Sequence, residues 1–456
     1  MNAPDWLHDA VFYQIFPERF ANGDHSLDPQ GVVPWGSEPT RDNFFGGDLA
    51  GITCKLDHLV ELGVNALYLT PIFKAHTNHR YDAEDYFSID PALGDETAFA
   101  SFIDAAHSHG IRVVLDAVLN HCGKTHPYFR DVIEREADSE YVDWYYIEDF
   151  PVVNAPSPNY RTCSGCEYLP KWNVHHPDVR RHHLLVAEYW IDRGIDGWRL
   201  DVPYFINMNF WRRFRQTVKA KGDDLYIVAE EWREPEPWLA GDTADGTMNY
   251  TLRDLVLGFT ADRTVDAFAL VKGLNELHDR IPEGFHHGML NLLSSHDTER
   301  LLTRHELNVD SELIAYDIMY ACEGAPMLYY GDEVGMRGEN DPGCRGGMVW
   351  DTAQWNTKIF DHVRFLGRMR GRSIALRRGE QSLHAIDADT LVIMRCHAEE
   401  DFAVLVHRGH GTRVNFQELP GAGSGSWRDE GSGESHEGGV TFHGVGSRFL
   451  KRGRGR

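Results

Sequence analysis

Four short apolar runs, each ending in acids or histidines, constrain this chain more than any other feature. Residues 112–115 run into Asp116-Ala117-Val118-Leu119-Asn120-His121, and Gly197-Trp198-Arg199-Leu200 runs into Asp201-Val202. Tyr226-Ile227-Val228-Ala229 ends in Glu230-Glu231-Trp232, and residues 290–295 end in His296-Asp297. Short apolar runs bounded by polar residues read as buried strands, and helical-looking segments lie between these four. Strands alternating with helices make a parallel sheet; closed into a barrel, it gathers all its strand ends on one face. One acid at one strand end would read as a loop cap or a solvated charge. Four such ends in one chain point to a shared site.

Arg199 and Asp201 lie two apart, so on a strand they face the same way. A cation beside an acid keeps that acid ionised, which a covalent nucleophile on a sugar requires, with a second acid of raised pKa standing opposite. Glu230 is the candidate for that second acid.

These segments, DAVLNH (116–121), GWRLDV (197–202), VAEEW (228–232) and SSHDTERLLT (294–303), resemble the four signature regions of the α-amylase superfamily, glycoside hydrolase family 13. YLPKWN (168–173) and the run 329–351 resemble its neopullulanase, cyclomaltodextrinase and maltogenic amylase branch. The resemblance implies an α/β fold, a (β/α)8 TIM barrel with a small domain inserted after strand three and a C-terminal antiparallel β-domain. The expected divisions are barrel at 1–121 and 177–377, insertion at 122–176 and β-domain at 378–456.

It further implies a retaining hydrolase of α-1,4-glucosidic bonds in maltooligosaccharides, cyclodextrins, pullulan or starch, with no catalytic metal. Asp201 would be the nucleophile, Glu230 the general acid and then base, and Asp297 the holder of the sugar 2- and 3-hydroxyls. Tyr81 would stack on the sugar ring, His121 and His296 would hydrogen-bond its hydroxyls, and Asp116, Asn120 and Arg199 would orient the set. Lys171 and Trp172 would line one wall of the cleft, with Trp172 replacing the usual leucine and adding a stacking surface. Trp232 would stack on the acceptor sugar, and Asp341 and Arg345 would hold the non-reducing end.

Two other readings share these residues. A glucanotransferase uses the same intermediate with a sugar in place of water, and Val202-Pro203-Tyr204-Phe205 departs from the VANE-like acceptor-side sequence of the branch. A catalytically inactive carbohydrate-binding barrel is disfavoured because Asp201, Glu230 and Asp297 are all present. Branch members usually carry a β-domain ahead of the barrel. Here the first strand is expected at residues 11–17, so a monomer and a homodimer both stay open.

Lys and Arg number 45 against 70 Asp and Glu, a formal charge of −25, which argues against nucleic acid or an anionic membrane as partner. The N-terminus has no apolar signal core, and no run approaches membrane length. Seven widely spread cysteines fit a reducing, cytoplasmic setting, and Cys163-Ser164-Gly165-Cys166 reads as reduced or incidental cysteines before it reads as a zinc site. Asn22, Asp24 and Asp28, with Gly46 and Asp48 closing the same loop, offer oxygen ligands for a structural calcium ion, which the branch often binds there. Leu27 stands where relatives often have a polar ligand.

Helices are expected at 52–62 and 359–375, a weak sixth strand at 247–251 and short strands at 391–395, 402–407 and 440–443. The Gly/Ser-rich run 421–439 reads as a mobile loop, and the basic stretch 451–456 as a solvated tail.

Overall fold

The computed structural model describes residues 2–154, 157–419 and 425–454. Eight parallel strands form the barrel: β1 (Phe12–Ile15), β2 (Ala66–Leu69), β3 (Arg112–Ala117), β4 (Gly197–Leu200), β5 (Tyr226–Ala229), β6 (Gly246–Thr247), β7 (Leu290–Leu292) and β8 (Ala325–Tyr329). They follow one another around the sheet, β8 pairs back onto β1, and a parallel bridge from Met248 to Leu290 closes the seam between β6 and β7. Helices cover the outside, so both faces of each strand are buried, which is why these runs are continuously apolar.

β6 is only two residues long. The strand expected at 247–251 stops there because the Asn249 side chain accepts a hydrogen bond from the Leu252 amide and caps the helix Tyr250–Thr260. Gly246 is required in β6, since a Cβ there would lie 1.7 Å from the Gly288 carbonyl oxygen. The helix expected at 52–62 is two short helices, Leu49–Thr53 and Leu56–Glu61, and the one at 359–375 begins at Thr357 and breaks at Ser373.

Between β3 and the helix Pro177–Ile191 lies the inserted segment. It is held by its helix Pro127–Arg135, by isolated bridges and by a nest of aromatic rings. Trp172 sits in that nest rather than in the cleft. It is 0% exposed, stacks on Tyr145 at 4.8 Å, and donates from Nε1 to the Tyr86 hydroxyl at 3.2 Å. An indole so enclosed has no face left for a sugar, which corrects the expectation that it adds a stacking surface.

The C-terminal strands are β9 (Glu380–Asp387), β10 (Thr390–Cys396), β11 (Glu400–His407), β12 (Thr412–Asn415), β13 (Trp427–Asp429), β14 (Ser435–His436), β15 (Gly439–Phe442) and β16 (Gly446–Gly453). Six make an antiparallel sheet in the order β9-β10-β11-β16-β13-β14, and β12 pairs with β15. Alternation along β10 and β11 splits the side chains between two cores. Leu391, Ile393, Phe402, Val404 and Val406 join the barrel's apolar core, while Val392, Met394, Ala403 and Leu405 enclose Trp427 on the far face.

Trp427 thereby turns part of the expected mobile loop into a strand; residues 421–424 of that run lie outside the described residues. The basic tail is likewise structured through Arg454. Lys451 reaches Glu400, and Arg452 and Arg454 both pair with the buried carboxylate of Asp401 at 2.6 and 2.7 Å. Residues 455 and 456 lie outside the described residues. Among the described residues, no helix is long and apolar enough to cross a membrane.

Candidate active site

Adjacent parallel strands in register fix the centre of the site. Asp116 pairs with Arg199 across β3 and β4, and Leu200 pairs with Ala229 across β4 and β5. Asp201 and Glu230 each lie one residue past that last pair, at the same level on neighbouring strands. Strand spacing alone then sets them roughly 5 Å apart, the separation a retaining glycosidase uses.

Arg199, 1% exposed, holds three carboxylates at once. Its Nη1 lies 2.9 Å from Asp116 Oδ1 and 2.9 Å from Asp201 Oδ1, and its Nη2 lies 2.9 Å from Glu230 Oε2. Glu230 also accepts from the Val202 amide at 2.9 Å and from Trp232 Nε1 at 3.1 Å. Burial pushes the Asp201 carboxyl well up against the pull of Arg199, and Asp116 and Glu230 push it further. Glu230 is raised by burial first and by the charge of Asp297, again against Arg199. The expected lowering by Arg199 is present, but burial outweighs it. One cation facing three buried carboxylates leaves a surplus of negative charge, which favours protonation of the set.

A second chain of contacts brings in the other strand ends. Gln14 Nε2 donates to His296 Nδ1 at 2.7 Å, which leaves His296 Nε2 to carry the proton. That nitrogen lies 2.7 Å from the Tyr81 hydroxyl, and the hydroxyl donates to Asp116 Oδ2 at 2.9 Å. Burial drives His296 well below the usual imidazole range, so it stays neutral. Tyr68 also donates to Asp116 Oδ2, at 2.7 Å. Asp297 Oδ2 lies 3.3 Å from His296 Nε2, and Asp297 Oδ1 lies 3.3 Å from Arg345 Nη2. Arg345 continues to Asp341 at 3.1 Å, and Asp341 to Arg41 at 3.5 Å. Asp341 and Arg345 are therefore an ion pair attached to Asp297.

Among the buried side-chain atoms here without a protein partner are Asp201 Oδ2, Asn120 Oδ1 and His121 Nε2. Burial lowers His121 to about 4, so its ring is neutral and one nitrogen remains an acceptor. The arrangement offers an oxygen nucleophile, a proton donor and neutral hydrogen-bonding groups for hydroxyls.

Other expected residues sit differently. Lys171 donates to the Phe205 carbonyl at 3.0 Å. One face of Trp232 lies flat on Tyr250 at 3.7 Å, so only its other face is left for an acceptor sugar. In the loop expected to bind calcium, Asn22 Nδ2 contacts Asp28 Oδ1 at 2.6 Å, and Gly46 closes over this pair with φ of 82°. Asp48 instead accepts the amides of Gly23, Asp24 and Gly51, and Asp24 is turned toward Ser26.

The Cys163 thiol is buried beside Asn120 in the inserted segment, and its pKa is pushed up to about 11 by burial. The one group of three metal-ligand side chains found among the described residues is elsewhere: His278, His286 and Glu323, with the two imidazoles stacked at 4.1 Å.

Sequence reasoning passed over Gln14 and Tyr68. Gln14 left a signal, an amide inside a fully buried strand; Tyr68 did not, because an aromatic in β2 reads as core.

A model of the α-amylase catalytic domain matches residues 14–375. The chain belongs to the α-amylase family. A cyclomaltodextrinase of Geobacillus thermopakistaniensis is 45% identical over 412 residues, 90% of this chain and 70% of that protein. Neopullulanase 2 of Thermoactinomyces vulgaris is 40% identical over 95% of this chain and 75% of its own length. Among solved structures, a cyclic α-maltosyl-(1→6)-maltose hydrolase of Arthrobacter globiformis in complex with that sugar is 60% identical, covers 99% of this chain and 100% of its own, and has a TM-score of 0.95. Like these family members, the chain is a glycoside hydrolase of the cyclomaltodextrinase, neopullulanase and maltogenic amylase type, acting on α-glucans.

Proposed function

We propose that this hydrolase opens cyclic α-maltosyl-(1→6)-maltose at an α-1,4 bond and also cleaves linear maltooligosaccharides, by double displacement. The observation that carries the chemistry is the Arg199 fork, which ties Asp201 and Glu230 into one hydrogen-bonded set. What supports the ring as substrate is the Arthrobacter enzyme, whose match spans both chains almost end to end.

In the first step Asp201 Oδ2 attacks the anomeric carbon while Glu230 gives its proton to the departing glycosidic oxygen. In the second, ionised Glu230 takes a proton from water, which attacks the same carbon and frees Asp201. Asp297 holds two ring hydroxyls, Tyr81 packs on the sugar's C–H face, and His121 and His296 donate or accept as positive charge develops.

The same reading takes a neutral sugar as partner and a cytoplasmic setting, where seven free cysteines stay reduced; it holds for a monomer or a homodimer. A structural calcium ion is supported in part, since Asn22 Oδ1 is buried without a protein partner beside Asp28 and Gly46. Asp24 and Asp48 would have to turn from the groups they now accept.

The purified protein, incubated separately with the cyclic tetrasaccharide, β-cyclodextrin, pullulan and maltoheptaose, should consume the cyclic tetrasaccharide at the highest kcat/KM. Proton NMR should show the α-anomer of the new reducing end first. A β-anomer appearing first would refute double displacement, and faster opening of β-cyclodextrin would move the substrate assignment to that ring. Maltoheptaose converted into longer chains would mark the glucanotransferase instead. A melting midpoint that ignores EDTA would remove calcium from the account.

A further inference from the structure

At the end of the barrel opposite the catalytic strand ends, three segments far apart in sequence bring two imidazoles and a carboxylate together. His278 lies in the last turn of the helix Ala267–Arg280, His286 opens the 3-10 turn His286–Gly288 that leads into β7, and Glu323 stands two residues ahead of β8. One ring nitrogen or carboxylate oxygen of each lies within 4.8 Å of those of the other two. β7 begins at Leu290 and β8 at Ala325, so the cluster sits at the strand starts, where a barrel uses its side chains for stability rather than chemistry.

Hydrogen bonds around the cluster decide which nitrogens are free. His286 Nε2 lies 3.1 Å from the His278 carbonyl oxygen, and because a carbonyl only accepts, that nitrogen carries the proton. His286 Nδ1 then holds a lone pair and has no hydrogen-bond partner among the described residues. His278 Nε2 lies 3.5 Å from Glu323 Oε2, while its Nδ1 faces Asp279 Oδ1 at 4.0 Å. The Glu323 main chain is fixed on both sides: its amide donates to Gln381 Oε1 of β9 at 2.7 Å, and its carbonyl accepts from Asn291 Nδ2 of β7 at 2.9 Å. An imidazole held by a carbonyl through one nitrogen, with a lone pair free on the other, is oriented as metal ligands are.

An ion pair between His278 and Glu323 accounts for only two of the three groups. It leaves the second ring stacked on the first at 4.1 Å with an unused acceptor. Two imidazoles and one carboxylate are the donor set of zinc and its transition-metal neighbours, whereas calcium and magnesium take oxygens. Around a tetrahedral zinc ion with bonds of about 2.0–2.1 Å, ligand atoms stand roughly 3.4 Å apart, close to the 3.5 Å between His278 and Glu323. Side-chain exposures of 41% at His278 and 22% at Glu323 leave the ion a path in and room for water as a fourth ligand.

We propose that His278, His286 and Glu323 bind one zinc-class divalent cation, which fastens the helix Ala267–Arg280 to the entries of β7 and β8. The ion holds three segments that only the folded chain brings together, so it stabilises the fold, and it touches none of the catalytic groups.

The full chain, stripped with EDTA and dialysed free of it, is titrated calorimetrically with ZnCl2 and in parallel with CaCl2. One zinc ion per chain should bind, calcium should not compete for it, and the melting midpoint should climb with zinc concentration while kcat/KM on maltoheptaose stays constant. Glu323→Gln keeps the side chain's shape and removes its charge, and His286→Gln keeps a donor for the His278 carbonyl and removes the ring. Each should weaken zinc binding by at least about tenfold and suppress the zinc-dependent rise in midpoint, with metal-free kcat/KM following the wild type. His8→Gln alters another stacked imidazole, the partner of His287 at 3.8 Å, and should leave zinc affinity unchanged. Lack of saturable zinc binding would overturn the proposal. So would binding that survives both ligand variants, or that slows turnover at one ion per chain, since the ion would then lie elsewhere.

Discussion

Arg199 sets the charge balance of the site. Its guanidinium touches Asp116, Asp201 and Glu230 together, and burial raises the pKa of all three carboxyls. Arg199 lowers each of them, so weakening it must raise them further. Arg199→Lys keeps the charge but loses the fork, since an ammonium cannot serve three carboxylates along two fixed directions. The nucleophile must be ionised, and its raised pKa defines the acid limb of kcat/KM. The variant should therefore lose about a hundredfold or more in kcat/KM, and its acid limb should move to higher pH. A pH profile of the pure variant decides this; an acid limb at the wild-type position would show that Arg199 does not govern the ionisation of Asp201.

Trp172 and the strand ends mark what a sequence can and cannot reveal at the level of elements. Trp172→Leu, the residue usual in the branch, should lower stability by about 2–3 kcal/mol through the cavity left against Tyr145, with little change in KM. A large rise in KM without loss of melting temperature would return the indole to the cleft. The strand ends at 116, 199–201, 230 and 296–297 were legible because a barrel gathers all eight ends on one face, whatever their distance in sequence. The facing of Trp172 was not, because YLPKWN lies in a segment without regular periodicity, and nothing local tells a cleft wall from a small core. β6 was misplaced because a two-residue strand carries no period, whereas the Asn249 cap gave a start signal for the helix that follows. The stretch 451–454 read as a tail because its bases seemed unpaired, while their partners Glu400 and Asp401 lie some fifty residues earlier. Oxygen-rich loop composition likewise could not show that Asp48 spends its carboxylate on three backbone amides.

Across the whole molecule, the C-terminal sheet and the barrel behave as one packed body. Leu391, Ile393, Phe402, Val404, Val406 and Phe449 belong to the same apolar cluster as the barrel strands. A buried arginine of the sheet fastens the junction through main-chain carbonyls. Arg395 donates to the Gly379 carbonyl at 2.9 and 3.1 Å and to the Ala321 carbonyl at 3.1 Å; beside it, within the barrel, Arg370 donates to the Gly324 carbonyl at 2.9 Å and the His8 carbonyl at 3.2 Å. Carbonyls so buried would be costly to leave without donors, and hydrogen bonds from a charged group are the stronger kind. A shared core makes unfolding of either part expose the other, so the wild type should show one calorimetric transition despite its length. Arg395→Met keeps the stem and removes the donors; it should cost about 2–4 kcal/mol and lower the midpoint of that single transition. The catalytic strand ends lie at the opposite end of β8 from Ala321 and Gly324, so the variant's KM at low temperature should follow the wild type. Two separate transitions in the wild type would mean that the sheet is only docked, and that the apolar face shared by β10 and β11 contributes less to the barrel than its burial implies.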